Sequence, residues 1–277
     1  MRRRSTIALV TIALLTAACS STDDGGGPVT TEPAPAETTT TSGPQPITIL
    51  VTNDDGIGAP GIDAVVNALV AMELVSVVVV APAENKSGSS DTTTPAGVEH
   101  AAAATASGVE GTAVKGFPAD TIAVALDELG LEPDLVVSGI NEGQNVGPIA
   151  FVSGTVGAAR TAARRGIPAL AASAGLGADA DYATAAELVV AWVDQHRAEI
   201  AAGTLTTSTV ASINVPACTL GGEVEALVEV PLAAAIPEGV DPFNSDCSFE
   251  PPEPPGDDVA ALVAGHPALT VVPLDAP

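Results

Sequence analysis

The chain of 277 residues carries 9 Lys and Arg against 34 Asp and Glu, a formal net charge of −25, so its surface repels polyanions and excludes binding along a nucleic-acid backbone. Hydrophobic residues make up 46% and charged residues 16%, enough apolar material for a folded core, which rules out wholesale disorder. Aromatic residues are 2% and the three Cys show no CxxC spacing, which removes base-stacking platforms of the single-strand-binding kind, a disulfide-built scaffold and a thiolate zinc site.

Residues 1–18 read as an export signal: Arg2, Arg3 and Arg4 precede an apolar stretch that ends in small residues. That stretch is shorter than the roughly 20 residues needed to span a bilayer as a helix. Leu14-Leu15-Thr16-Ala17-Ala18-Cys19 resembles the lipobox of bacterial lipoproteins. The resemblance implies cleavage before Cys19, lipidation of that Cys, and an exported protein held at the cell membrane through its lipid alone. In residues 20–46, Ser, Thr, Gly and Pro fill 19 of 27 positions, so 19–46 is expected to be a lipidated Cys followed by a disordered tether.

Residues 47–277 form the body. Residues 47–52 and 76–81 are β-rich runs, separated by 61–73, where Ile62, Val65, Val66 and Leu69 follow helical spacing. Residues 134–138 and 169–173 repeat the apolar runs, and 119–129, 154–165 and 181–201 are the further helices. Near-continuous apolar strands indicate burial on both faces. The body is therefore α/β: a Rossmann-like, doubly wound, mostly parallel sheet with helices on both faces. After Pro231 the Pro-rich run 251–255 interrupts regular structure before a last strand at 269–273.

In such sheets ligands bind beyond the carboxyl ends of strands. Three oxygen-rich clusters stand there: Asn53-Asp54-Asp55-Gly56, residues 84–90, and Ser138-Gly139-Ile140-Asn141. Adjacent carboxylates repel unless a cation lies between them, and oxygens of carboxylate, hydroxyl and amide suit Mg²⁺ or Mn²⁺. Each cluster alone also reads as a turn or a cap. His100, His196 and His266 follow no metal spacing, and Arg160 and Arg164, spaced i, i+4, read as a solvated helix face.

Residues 52–62, Val80-Ala81-Pro82 leading to Asn85-Lys86-Ser87-Gly88, Ser138-Gly139-Ile140-Asn141 and Ser153-Gly154-Thr155 resemble, in order and spacing from about 47 to about 215, the signature segments of the SurE family of nucleotidases. The resemblance implies a metal-dependent phosphomonoesterase acting on nucleoside 5′- or 3′-monophosphates, with Asp54, Asp55, Ser87 and Asn141 as ligands of the divalent ion. It implies further that Asp54 acts as base or nucleophile and that Asn145, Ser153, Gly154 and Thr155 line the phosphate pocket. The residues agree on the last point, because a helix opening at Ser153 presents free backbone N–H groups to an anion. Phe117 departs from the family's Gly-Thr-Pro segment beside the pocket. Residues 216–268 are a divergent excursion; the family builds dimers and tetramers from this region, so the resemblance leaves a homodimer as one expected assembly. In an exported protein Cys218 and Cys247 are expected to form a disulfide, with free thiols as the alternative. Two other functions stay open: a non-catalytic surface-binding lipoprotein, and a phosphatase for non-nucleotide esters.

Overall fold

The computed structural model describes residues 45–177 and 180–276; the export signal, Cys19 and residues 20–44 lie outside the described residues. Along Ile47–Thr52 (β1) neighbouring side chains enter different cores: Ile47, Ile49 and Val51 join one apolar cluster and Leu50 another. A strand buried on both faces belongs in the middle of a covered sheet, and β1 lies there.

The other strands are β2 (Val75–Pro82), β3 (His100–Ala104), β4 (Glu110–Val114), β5 (Leu135–Glu142), β6 (Ala169–Ala174), β7 (Thr209–Val215), β8 (Val228–Glu229) and β9 (Ala268–Pro273). Their order across the sheet is β3-β4-β2-β1-β5-β6-β7-β9-β8. The ladders from β4 through β2, β1, β5 and β6 to β7 are parallel, while β3 on β4 and β9 on β7 are antiparallel. The sheet is mostly parallel, as expected.

The helices are α1 (Pro60–Val70), α2 (Pro118–Ala123), α3 (Gly154–Arg164), α4 (Tyr182–Ala201) and α5 (Asp258–Val263). On one face α1 and α4 set Ile62, Leu69, Val189 and Val193 against Ile49 and Val51. On the other, α2 and α3 set Ile122, Val156, Ala159 and Ala163 against Leu50 and Val136. Each fully buried Ile, Leu or Val contributes roughly 1.5–3 kcal/mol. With so few aromatics, the two cores are built from many such small increments.

Two differences from the sequence reading have physical causes. The helix expected over 119–129 widens out of α geometry after Ala123, becoming a π-helical turn at Val124–Glu128 that is closed by Leu129 N–H donating to Val124 O (2.9 Å). The β3–β4 hairpin was not expected, because His-Ala-Ala-Ala-Ala carries no β-branched residue. Asp258, buried at the start of α5, accepts hydrogen bonds from Ala233 N–H (2.8 Å) and Gly147 N–H (2.9 Å) and ties the excursion of 216–268 to the loop after β5. A disulfide joins Cys218 to Cys247, with 5.2 Å between their Cα atoms.

From β1 the chain moves outward to β2 and β4, then returns to β5 on the other side of β1. The connections leaving β1 and β5 therefore run to opposite faces, through α1 and α3. Their divergence opens a crevice at the carboxyl ends of these two strands.

Candidate active site

The turn after β1 leaves strand geometry at Gly56, whose φ of +104° suits a residue without Cβ. The Asn53 amide clasps the turn, donating to Gly56 O (2.9 Å) and accepting from Gly56 N–H (3.2 Å). Asp54 and Asp55 are thereby presented side by side at the strand end.

Asp54 is buried, and its carboxylate accepts a hydrogen bond from the Thr155 hydroxyl. The nearby backbone N–H groups of Gly154 and Thr155 also favour its charged form. The start of α3 thus lies against Asp54, where its positive end favours the carboxylate's charge. Gly154 is needed for this approach: a Cβ there would lie 2.8 Å from Asp54 Cβ. Ser153 caps α3, its Oγ accepting from Val156 N–H (3.2 Å).

Asp55 is half-buried, with Oδ1 accepting from the Asn85 amide (3.0 Å) and Oδ2 from Glu142 N–H (2.9 Å). Each oxygen keeps a lone pair for a further partner. Burial pushes the Asp54 carboxyl above its ordinary range, against the pull of the Thr155 hydroxyl and the nearby N–H groups. Burial, with the neighbouring charges of Asp54 and Glu142, pushes Asp55 up to about 6.

Ser87 comes from the loop after β2, which two contacts bring to α3. Lys86 N–H donates to Asp54 O (2.7 Å), and Ser90 N–H to Val152 O (3.1 Å). Asn141 lies in β5 past the irregularity at 138–141, and its Nδ2 donates to Gly143 O, leaving Oδ1 as its available acceptor. Asn145 is held by Asn214 Oδ1, which accepts from its backbone N–H (2.6 Å), and by Ser173 Oγ, which accepts from its Nδ2 (2.8 Å).

These elements enclose a cavity of about 170 Å³ with Asp54, Ser87, Asn141, Asn145 and Ser153 in its wall, joined by Gly88, Glu142, Gln144, Val152, Leu176 and Phe243. Gly154 and Thr155 lie behind Asp54, and Asp55 stands beside the cavity rather than in its lining. Three larger hollows, of about 600, 620 and 850 Å³, contain none of these residues.

The family model described as "Survival protein SurE" matches residues 49–230. The chain belongs to the SurE family. The match runs past residue 215, so the start of the excursion is still family sequence. A Vibrio cholerae protein named 5′-nucleotidase SurE is 34% identical over 239 residues, 82% of this chain and 91% of that relative. A Halobacterium salinarum protein of the same name is 48% identical over 126 residues, 45% of this chain and 46% of that relative. The crystal structure of the SurE protein from Aquifex aeolicus superposes with a TM-score of 0.64 at 28% identity, covering 83% of this chain and 94% of that one.

Membership implies a divalent cation, and the residues fit one. None of the ion pairs among the described residues involves Asp54, Asp55 or Glu142, and no Lys, Arg or His lines the cavity. The described residues contain no cluster of three His, Cys, Asp or Glu suited to a metal. A SurE cation would therefore rest on the mixed oxygens of Asp54, Asp55, Ser87 and Asn141, the donor set of a hard ion. Buried Ser89 Oγ has no hydrogen-bond partner among the described residues, and it lies beside Gly154, as Asp54 does.

Two sequence expectations are corrected. Arg160 is no part of a solvated face: it is 3% exposed, donates to Ser90 Oγ (3.0 Å) and Phe151 O (3.3 Å), and braces the loop that carries Ser87. Phe117 begins α2, its N–H donating to Asp120 Oδ2 (2.8 Å), and is absent from the cavity wall. The aromatic ring in that wall is Phe243, in the excursion. Its position beyond the recognisable motifs left no signal in the sequence.

Proposed function

We propose that this chain is a nucleoside-monophosphate phosphomonoesterase that uses a divalent cation, Mg²⁺ or Mn²⁺. The observation that carries the reading is the convergence of Asp54, Ser87, Asn141, Asn145 and Ser153 on one cavity in a chain whose relatives are named 5′-nucleotidases.

The reaction transfers the phosphoryl group of the ester to water, releasing nucleoside and inorganic phosphate. Asp54, Asp55, Ser87 and Asn141 would hold the cation, which supplies positive charge to the phosphoryl oxygens and makes the attacking water more acidic. Ser153 and Asn145 orient the phosphoryl oxygens. Asp54, the carboxylate in the wall, takes the proton of the attacking water or attacks phosphorus itself. Acid quench of a single turnover with AMP labelled at phosphorus separates the two roles: direct attack leaves a hydroxylamine-sensitive acyl phosphate on Asp54, and base catalysis leaves no label on the protein.

The lipobox supports an exported protein anchored through lipid on Cys19. The Cys218–Cys247 disulfide supports the same compartment, since disulfides persist where the environment oxidises. No helix among the described residues is long and apolar enough to cross a membrane. Cys19→Ser, expressed with its signal, should move the protein from the membrane to the soluble fraction; retention at the membrane would refute the anchor. We assign a homodimer as the working assembly, and light scattering of residues 20–277 tests it.

Phosphate release from 5′-AMP and 3′-AMP by purified residues 20–277 tests the activity. Release that EDTA abolishes and Mn²⁺ or Mg²⁺ restores is expected. A folded protein inert with every metal would leave the binding-module reading.

A further inference from the structure

The cavity is smaller than the substrate class. At about 170 Å³ it holds the volume of five or six waters at roughly 30 Å³ each, well under the roughly 300 Å³ at which pockets begin to engulf drug-sized ligands. A phosphate and the adjoining edge of a sugar fill it. The rest of a nucleotide lies at the mouth.

The mouth differs in chemistry from the interior. Val152, Leu176 and Phe243 all line it and are 57%, 49% and 42% exposed, among the few large apolar side chains that reach solvent. The chain has only 6 aromatic residues, so placing one of them, exposed, at the rim of a polar cavity is a specific feature.

The rim is also braced. Gln144, itself buried, donates through Nε2 to Pro242 O and accepts through Oε1 from Leu176 N–H (3.1 Å), so one side chain fixes the backbone beside both Phe243 and Leu176. Asp241 holds the same segment, accepting from Phe243 N–H (3.0 Å) and the Asn244 amide (2.7 Å). Cys218 N–H donates to Ser245 Oγ (2.9 Å), and the Cys218–Cys247 bond closes the loop. An aromatic ring held this way loses little freedom on binding.

We propose that Phe243, with Leu176 and Val152, forms the base-contact rim of the site and that this chain selects phosphate esters whose leaving group carries a flat heterocycle. The inference rests on the nucleotidase reading and deepens it. Phe243 and Leu176 are specificity residues, and Gln144 is a positioning residue that acts through them.

The test compares the mature chain, residues 20–277, as wild type, Phe243→Ala and Phe243→Trp, with Mn²⁺, on 5′-AMP and on ribose 5-phosphate, which lacks the base. Loss of one base–aromatic stack is expected to lower the preference for AMP, the ratio of the two kcat/KM values, by about 5- to 150-fold in Phe243→Ala, and Phe243→Trp is expected to restore it. An unchanged ratio in Phe243→Ala overturns the proposal. Calorimetry of AMP and inorganic phosphate binding decides it independently of turnover. If wild type hydrolyses neither ester, the nucleotidase reading falls. The rim still stands if Phe243→Ala weakens AMP binding relative to phosphate, and falls if wild type binds the two equally.

Discussion

The Thr155 hydroxyl at the start of α3 donates to the Asp54 carboxylate at the end of β1. The helix that follows β5 thus holds the acid that follows β1, and the crevice between these two strands gains a fixed carboxylate. Gly154 permits the approach and Ser153 caps the same helical turn, so the three-residue segment supports Asp54 from behind.

Thr155→Val keeps the volume and removes the donor. A hydrogen bond to a charged group contributes about 1.5–3 kcal/mol, so kcat/KM for AMP is expected to fall about 10- to 150-fold. The Thr155 bond holds the Asp54 pKa down, so the acid limb of the rate profile should move to higher pH. Thr155→Ser should restore both. An unshifted acid limb in Thr155→Val would show that Asp54 does not depend on this bond.

The acid pair makes metal-free stability depend on pH. Asp55 titrates near 6 in the folded chain against about 3.9 unfolded, so the folded state binds the proton more tightly. Its stabilising contribution is complete below about pH 3.9 and is lost as pH rises through about 6; the upward shift of Asp54 acts in the same direction. In EDTA the Tm should therefore fall between about pH 4 and about pH 7, and Asp55→Asn should flatten that fall. Excess Mn²⁺ should raise the Tm most at the upper end, where the ligands are deprotonated. A metal-induced shift that grows toward acid pH would contradict this arrangement.

Arg160 is buried against Ser90, Phe151 O and the Phe151 ring, whose centroid lies 5.6 Å from its guanidinium. Arg160→Leu is expected to cost about 1.5–3 kcal/mol by lowering the denaturant midpoint, and to weaken Mn²⁺ affinity because the Ser87 loop loses its brace. An unchanged midpoint would return Arg160 to a surface role.

The Cys218–Cys247 bond spans 29 residues of sequence, and chain entropy gives such a closure about 3–4 kcal/mol. Cys218→Ser with Cys247→Ser should lower stability by that order. Because the loop carries Phe243, the double variant should lose more kcat/KM on AMP than on ribose 5-phosphate. Equal loss on both esters would separate the staple from the rim.

The sheet was legible where burial leaves apolar runs. Ile47–Thr52 reads as a two-faced strand, and its end places Asp54 and Asp55 in the crevice. β7 is harder to read because Ser212 and Asn214 occupy buried positions, where Asn214 serves Asn145 instead of a core. Asp54, Ser87, Asn141, Asn145 and Ser153, which the family motifs single out, share one cavity wall, Asn141 from within β5 and the others from segments that follow β1, β2 and β5. Arg160 was not legible: its i, i+4 spacing to Arg164 is the same for a solvated face and for a face covered by a loop from elsewhere in the chain. Phe243 was less legible still. It is about a hundred residues from Asn141 in sequence, in Pro- and Gly-rich chain without periodicity, and reaches the cavity only through the contacts of Gln144, Asp241 and the disulfide.

The central claim is that the Asp54 cavity hydrolyses nucleoside monophosphates with a divalent cation. Phosphate release from 5′-AMP by residues 20–277, in Mn²⁺ and in EDTA, beside Asp54→Asn of matched circular dichroism and Tm, tests it most directly. The account predicts release in Mn²⁺ alone, lowered at least about a thousandfold in Asp54→Asn, on the order of removing a group that acts in the chemical step. Equal release by wild type and Asp54→Asn, or release that EDTA leaves intact, would contradict it.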